Sequence, residues 1–202
     1  MPDQARAFLA AVRGDRLEAL FTVALALGLR QGEALAMRWD DVDLDAGTIR
    51  IRHTVQKING QWHFTEPKTA RSRRSISMPA ASIAALRAHQ LRQPDERLAA
   101  GSRWQEWGLV FPSSVGTPLD GSNVTHWLQK ILARAGLPRQ RFHDLHHCCA
   151  SLLLAQHVPM RVVMEIPGHS QIALTMDTYS HVMPVLRHEA AGLMDAILAA
   201  TD

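Results

Sequence analysis

The chain has little of what marks secreted and membrane proteins. Its 202 residues include two cysteines, the adjacent Cys148 and Cys149. Neighbouring cysteines cannot build a disulfide framework, so they fit the reducing cytosol. No apolar run approaches the roughly 20 residues that a membrane-spanning helix needs, and residues 1–15 lack the basic and apolar blocks of a secretory signal. These absences predict a cytoplasmic protein with no membrane partner.

Aromatic residues are scarce as well. They make up 5% of the chain, and Tyr179 is the single tyrosine. A lone tyrosine is by default a packing residue of the core or the surface. The rarer alternative is a nucleophile, which needs a neighbouring base or cation to activate its hydroxyl.

Basic residues, by contrast, are concentrated in one place. The formal net charge is +3 and the sequence pI is about 9.3. Lys68, Arg71, Arg73 and Arg74 fall within seven positions, in KTARSRR. Such a cluster suits a polyanion, because each neutralised phosphate releases condensed counterions. A solvated basic loop is the alternative, and the cluster alone leaves both interpretations open.

The first third of the chain has apolar residues at helical spacing. Asp15 is placed to cap the run RLEALFTVALALGL. Gly28 and Gly32 lie on either side of Arg30, which predicts that the helix breaks there. It then restarts as a short helix, EALAM, that ends near Trp39.

The period of the pattern changes after this helix. TIRIRHTV and QWHFT have the composition of strands, and Asn59-Gly60 between them is a strong hairpin signal. SISMP supplies a third short strand after the basic loop, and Pro79 ends it. These segments predict one small antiparallel sheet.

Helical spacing returns from Ala80 onward. The candidate helices are ASIAALRAHQLR, GSNVTHWLQKILARAG, HDLHHCCASLLLAQH, MRVVMEI and the amphipathic PVLRHEAAGLMDAILAA. Ser122 or Asn123 lies near the cap of the second of these, and Gly136 at its end. The predicted fold is mainly α with a small antiparallel β-sheet near its N-terminal side, in the α+β class.

Three histidines and both cysteines are crowded into FHDLHHCCASLLL. His143 and His147 stand four apart with Asp144 after the first, one substitution from the H-E-x-x-H signature of zinc hydrolases. Asp is one methylene shorter than the Glu that such sites use, and consecutive cysteines on a helix point about 100° apart. The alternative is a set of partly buried helix residues, so a zinc site is the weaker hypothesis.

Four segments together resemble the tyrosine recombinases of the phage integrase family. They are GLRQGEALAMRWDDVD, the hairpin with PKTARSRRSI, HDLHH and GHSQIALTMDTYSHV. They follow the family's order at its usual spacings and cover residues 16–185. The resemblance implies the tyrosine-recombinase catalytic-domain fold, double-stranded DNA as the partner and no cofactor.

The resemblance also implies a role for each matching residue. Arg30 corresponds to the first catalytic arginine, which holds the scissile phosphate, and Lys68 to the lysine that protonates the leaving 5′-oxygen. His143 corresponds to the histidine that acts as base or bonds a phosphate oxygen, and His169 to a second phosphate-supporting position. Tyr179 corresponds to the nucleophile. Since the phosphotyrosyl link conserves the energy of the phosphodiester, neither ATP nor a metal is required.

One position departs from the family's second box, which reads H-x-x-R. Position 146 is His where the family has its second phosphate-clamping arginine. Imidazole is shorter, cannot bind bidentately and is mostly neutral at pH 7. Losing one such donor commonly costs about 10²–10³ in rate, or roughly 3–4 kcal/mol. Two further departures are Pro167, before the Gly-His pair, and His157, where a glycine commonly ends a helix.

The resemblance predicts a single catalytic domain over residues 1–202, without the core-binding domain that family members normally carry before it. The predicted C-terminal helix, residues 184–200, packs either on its own domain or in trans on a neighbouring copy on DNA.

The first functional hypothesis is a truncated, integrase-like recombinase whose activity is weak or lost because of His146. The alternative is a non-catalytic DNA-binding remnant that uses the basic loop of Arg71, Arg73 and Arg74. A zinc protein using His143 and His147 is the third.

Overall fold

Helices dominate the computed structural model, which describes residues 2–66 and 73–166. The helices in these ranges are α1 (Pro2–Val12), α2 (Glu18–Leu27), α3 (Gln31–Ala36), α4 (Ala80–Ala100), α5 (Gly121–Arg134), α6 (Phe142–Ala155) and α7 (Met160–Glu165). The strands are β1 (Val42–Asp43), β2 (Thr48–Ile51), β3 (Thr54–Ile58), β4 (Gln61–Thr65) and β5 (Arg74–Ser77). The mainly helical α+β prediction is confirmed. The helix predicted over 184–200 lies outside the described residues.

Helix α2 forms the centre of the core. Its sequence, EALFTVALAL, is apolar on nearly every side, and such a helix is stable only when it is surrounded. Leu20, Phe21 and Leu27 are almost completely buried, and α1, α4 and α6 pack against the helix. Phe21 lies between Phe8 of α1 and Phe142 of α6, at ring-centroid distances of 6.2 and 6.3 Å.

The break predicted between α2 and α3 is present. Gly28 takes a left-handed conformation, with φ 58°, and ends α2, after which α3 begins at Gln31. Asp15 does not cap the helix itself: its Oδ1 accepts the N–H of Leu17, one residue before α2 begins, at 2.9 Å. The predicted cap is therefore shifted into the preceding turn.

The strands form two sheets where the sequence predicted one. β1, β2 and β5 make an antiparallel sheet in that spatial order, and β3 and β4 make a separate hairpin. The predicted strand TIRIRHTV divides because Arg52 and His53 leave the ladder. The hairpin turn is as predicted: Asn59 and Gly60 both have positive φ, 49° and 81°, as a type I′ turn requires.

The four helices predicted between Ala80 and Ile166 are present, with two changes at their ends. α4 is longer than predicted and continues through Pro94 to Ala100. α5 is capped by Asp120, whose carboxylate accepts the N–H of Ser122, so the cap precedes both predicted positions. Gly136 ends the turn after α5 with φ 65°, as predicted. Within the described ranges, no helix is both long enough and apolar enough to cross a bilayer.

The turn after α6 carries a backbone strain at His157, the position where a glycine commonly ends a helix. His157 has φ 60°, a left-handed conformation that favours glycine. The N–H groups of His157 and Val158 donate to the carbonyls of Leu154 and Leu153, which is the hydrogen-bond pattern of a Schellman motif. The conformation is therefore imposed by the helix end.

Replacing His157 with glycine should stabilise the protein. The left-handed conformation costs an L-residue about 1–2 kcal/mol, while the extra unfolded-state freedom of glycine offsets about 0.5–1 kcal/mol of that gain. We expect the free energy of unfolding from urea denaturation to rise by roughly 0.5–1 kcal/mol. The matched control His126→Gly, inside α5, should lower it by a similar amount. An unchanged or lower value for His157→Gly would contradict this account of the turn.

Candidate active site

The structure describes five of the nine residues predicted to act on DNA. They are Arg30, Arg73, Arg74, His143 and His146. Lys68, Arg71, His169 and Tyr179 lie outside the described residues, as does Pro167. Arg30 follows α2, Arg73 and Arg74 lie at the start of β5, and the histidines lie on α6.

Arg30 is held at the start of α3 by Glu33. The Glu33 carboxylate accepts the backbone N–H of Arg30 at 3.0 Å and its guanidinium Nη1 at 2.9 Å. This reciprocal contact follows from the three-residue spacing, which lets an N3 side chain reach back to the helix cap. The Arg30 side chain is 36% exposed and that of Glu33 is 5% exposed. The carboxylate is therefore in the core while the guanidinium stays accessible from outside.

Gly32 allows α3 to lie close to the hairpin. A Cβ added at Gly32 would overlap Oγ1 of Thr54 and come within 3.1 Å of the carbonyl oxygen of Val55. One residue earlier in the chain, the side-chain nitrogen Nε2 of Gln31 donates to the carbonyl of Gly121 at 2.9 Å. These contacts fix α3 between β3 and α5 and so determine where Arg30 lies.

Arg74 pairs with the same carboxylate. Its Nη1 and Nη2 donate to the two oxygens of Glu33 at 3.1 and 3.0 Å, in a fork that matches the carboxylate. Its Nε donates to the carbonyl of Ile166 at 2.8 Å. The side chain is 7% exposed. Arg74 therefore joins β5, α3 and the end of α7.

His146 connects α6 to the turn before Arg30. Its Nδ1 lies 2.6 Å from the carbonyl oxygen of Gly28, which is 118 residues away in the chain. A carbonyl oxygen only accepts, so Nδ1 carries a proton and donates, and in neutral imidazole the other nitrogen, Nε2, is then an acceptor. His146 is 1% exposed. One helical turn further on, the Cys149 thiol donates to the carbonyl of Ala26 at 3.5 Å, and burial raises its pKa to about 12.

Three histidine rings lie together beside Arg30. The ring of His143 stacks on that of His146 at 5.1 Å between centroids and meets His147 edge-on at 4.6 Å. Desolvation and then the Arg30 charge lower the pKa of His143, and desolvation and then His143 lower that of His147. Both rings are consequently neutral at pH 7. A neutral imidazole beside a guanidinium can accept a proton from a group that attacks a bound anion.

Asp144 has a structural role at the start of α6. Its carboxylate accepts the backbone N–H of Arg141 at 2.7 Å and pairs with the Arg141 guanidinium at 3.0 Å. It therefore caps the helix, where a zinc hydrolase would use its acid on a metal-bound water. Within residues 2–66 and 73–166, no group of three or more His, Cys, Asp or Glu could hold a metal ion. The described residues therefore give the zinc hypothesis no ligand set.

Arg73 differs from its neighbour in the chain. Its side chain is 57% exposed and pairs with Glu66, itself 70% exposed, at 3.1 Å. A pair so exposed is screened by solvent and holds the guanidinium only weakly. The sequence presented Arg73 and Arg74 as equivalent members of one basic cluster, but the structure separates an exposed cation from a buried one.

Sequence reasoning missed Glu33 as part of the site. A signal was available, because Glu33 stands three residues after Arg30 at the predicted helix start, the spacing of a capping contact. The second pairing, with Arg74, has no local signal. It depends on how β5 lies against α3.

Known proteins resemble this chain over most of its length. The profile of the phage integrase family matches residues 1–184. The chain is 38% identical over 186 residues to a tyrosine recombinase XerC-like protein of Caldanaerobacter subterraneus subsp. tengcongensis, covering 86% of this chain and 48% of that protein. It is 36% identical over 202 residues to an integrase of Streptomyces ambofaciens, covering 96% and 52%. The chain thus spans about half the length of the curated relatives it matches.

Solved structures share the fold. The Tn1549 transposon integrase in complex with transposon right end DNA superposes with a TM-score of 0.80 at 21% identity, covering 96% of this chain and 65% of that one. The XerA recombinase superposes with a TM-score of 0.73 at 21% identity, covering 94% and 64%.

The histidine cluster should make stability depend on pH. A histidine whose pKa is lower in the folded than in the unfolded state takes up its proton on unfolding. The free energy of unfolding should therefore fall as the pH drops through the unfolded value of 6.5. We expect a decrease between pH of about 7.5 and about 5.5 in urea denaturation, and a smaller one in His143→Gln/His147→Gln.

Buried His89, whose pKa is also lowered by desolvation, should supply part of the slope that remains in the double variant. His63→Gln, on the exposed side of β4, is the control and should leave the wild-type slope unchanged. A double variant with the full wild-type slope would contradict the assignment.

Proposed function

This chain belongs to the phage integrase family, and we propose that it is a site-specific DNA recombinase that cleaves and rejoins strands through a 3′-phosphotyrosyl intermediate. The single observation that best supports the proposal is the convergence at Arg30. The α2–α3 turn and α6 come from distant parts of the sequence, and they bring Arg30, His143 and His146 to one place. A guanidinium and an imidazole at one place suit an anionic phosphodiester and a proton transfer to or from it.

Each residue has a definite part in the proposed reaction. Arg30 binds the non-bridging oxygens of the scissile phosphate, with support from His169. The hydroxyl oxygen of Tyr179 attacks phosphorus as its proton passes to neutral His143. The bond from phosphorus to the 5′-oxygen breaks, and Lys68 supplies the proton to that leaving oxygen. Attack by a 5′-hydroxyl on the phosphotyrosyl bond reverses these transfers and rejoins the strand.

We propose that this reaction is slow because of His146. The second arginine of the family's box would donate to the phosphate through a charged fork. The contact with Gly28 instead uses the Nδ1–H of His146, which in neutral imidazole leaves Nε2 as an acceptor. An acceptor cannot stabilise the phosphate oxygens, so we place the loss near the 10²–10³ expected for a missing preorganised donor, roughly 3–4 kcal/mol.

Covalent trapping tests the proposal. A duplex nicked near the scissile phosphate loses its short product after cleavage, so the protein–DNA adduct accumulates. We expect slow adduct formation by the wild-type chain and none by Tyr179→Phe. Absence of adduct from both the wild-type chain and His146→Arg would refute the proposed activity, whereas fast cleavage by the wild-type chain would refute its impairment.

Restoring the arginine should raise the cleavage rate. In His146→Arg the guanidinium is long enough to keep a donor on the Gly28 carbonyl and to extend others beyond it. We expect the adduct rate to rise by about 10- to 1,000-fold, within the range measured for single preorganised donors. His146→Gln is the matched control, because it keeps a donor for Gly28 without the charge, and it should give no rise. Equal rates for the two variants would mean that the charge at position 146 does not limit the reaction.

A non-catalytic DNA-binding protein is the second candidate, and the tautomer of His146 is the observation that favours it. Its contact with DNA would rest on the basic loop with Arg71 and Arg73. We expect Arg73→Ala to weaken duplex binding and to reduce the slope of log K against log salt by about one. Salt-dependent binding without adduct, in His146→Arg as well as in the wild-type chain, would identify this second function.

We also propose that copies of the chain meet on DNA through the predicted helix 184–200. Its amphipathic sequence supports this, because its apolar face needs a partner surface in its own domain or in a neighbour.

A further inference from the structure

One buried carboxylate pairs with two guanidinium groups. Glu33 accepts from Nη1 of Arg30 and from both Nη atoms of Arg74. Arg74 and Glu33 are 7% and 5% exposed, whereas Arg30 is 36% exposed. The two buried partners therefore form the inner pair, and Arg30 is the outer member that faces the site.

The charges of this group bear on Arg30. One carboxylate and two guanidiniums sum to +1, and the buried bidentate pair neutralises Glu33 from the inner side. Without Arg74, Glu33 and Arg30 would form a neutral pair in which both carboxylate oxygens are available to Arg30. The carboxylate would then draw Arg30 inward and compete with a phosphate for its donors.

Arg74 also contacts the end of α7. Its Nε donates to the carbonyl of Ile166, directly after α7. Ile166 stands three positions before His169 in the sequence. Arg74 thus contacts both Glu33, which orients Arg30, and Ile166 at the end of α7.

From these contacts we propose that Arg74 is a positioning residue of the recombinase site. It acts through Glu33 to keep the charge of Arg30 directed at the phosphate, and through Ile166 to fix the end of α7. This role rests on the proposed function in one respect, namely that Arg30 binds the scissile phosphate. It replaces, for Arg74, the direct contact with DNA that the sequence suggested.

The decisive comparison is between two neighbours, Arg74→Met and Arg73→Met. Both remove one positive charge from the same stretch of chain. We expect Arg74→Met to lower the adduct rate at saturating DNA by about 10- to 100-fold, as small misplacements of a reacting group do. Arg73→Met should weaken DNA binding, with a loss of rate at saturation well below that of Arg74→Met. Equal effects of the two variants on both quantities would overturn the proposal.

A double variant, Arg74→Met with Glu33→Gln, distinguishes a positioning role of Arg74 from a general loss of structure. In Arg74→Met the carboxylate competes for Arg30, so adding Glu33→Gln should recover most of the lost rate. Arg74→Lys keeps the charge without the fork and should be intermediate. All rates are taken where circular dichroism shows the variants folded. A double variant as slow as Arg74→Met in its folded state would contradict the coupling through Glu33.

A measurement without DNA distinguishes this proposal from the proposed function. The guanidinium N–H signals of Arg30 are followed by NMR in the wild-type chain, Arg74→Met and Arg73→Met. We expect the Arg30 signals to shift and to exchange more slowly with water in Arg74→Met, since Glu33 then pairs with Arg30 alone, and to stay unchanged in Arg73→Met. Unchanged Arg30 signals in Arg74→Met would overturn the positioning role even if adduct forms. Shifted signals with no adduct in any variant would sustain the coupling and reject the recombinase function.

Discussion

The buried carboxylate of Glu33 is the point on which the described site depends. It accepts from the backbone and side chain of Arg30 and from the fork of Arg74, at distances between 2.9 and 3.1 Å. A buried carboxylate is costly unless it is paired, so the two arginines stabilise the fold around Glu33. One local pairing thereby fixes the first helix of the site, the sheet and the end of α7 relative to one another.

A second contact orients α6 against this group. His146 donates to the carbonyl of Gly28. This carbonyl can accept from α6 because α2 ends at the left-handed turn of Gly28. The side chain that anchors α6 is thus the one that stands in place of an arginine. The contact with Gly28 uses the one N–H that a neutral imidazole has, whereas a guanidinium has enough donors to bind both this carbonyl and a phosphate. Under the proposed function, the smaller number of donors on His146 makes DNA cleavage slow, although the fold is kept.

The helices, the break at Arg30 and the hairpin at Asn59-Gly60 could be predicted because each depends on local periodicity or on a turn residue. The division into two sheets could not, since it depends on where Arg52 and His53 leave the ladder. For the site, motif spacing identified Arg30 and His143, and the structure places them together. The sequence could not predict that Arg73 is exposed and Arg74 buried, because burial depends on the packing of β5, α3 and α7 and not on neighbours in the sequence.

The proposed function is tested most directly by identifying the residue that becomes linked to DNA. Adduct from the nicked duplex is digested with nuclease and trypsin, and the modified peptide is sequenced by mass spectrometry. In the wild-type chain we predict a nucleotide joined through a 3′-phosphate to the hydroxyl of Tyr179. In Arg30→Ala we predict that the same peptide is unmodified. A nucleotide on a histidine or a cysteine, or the same Tyr179 adduct at full yield in Arg30→Ala, would contradict it.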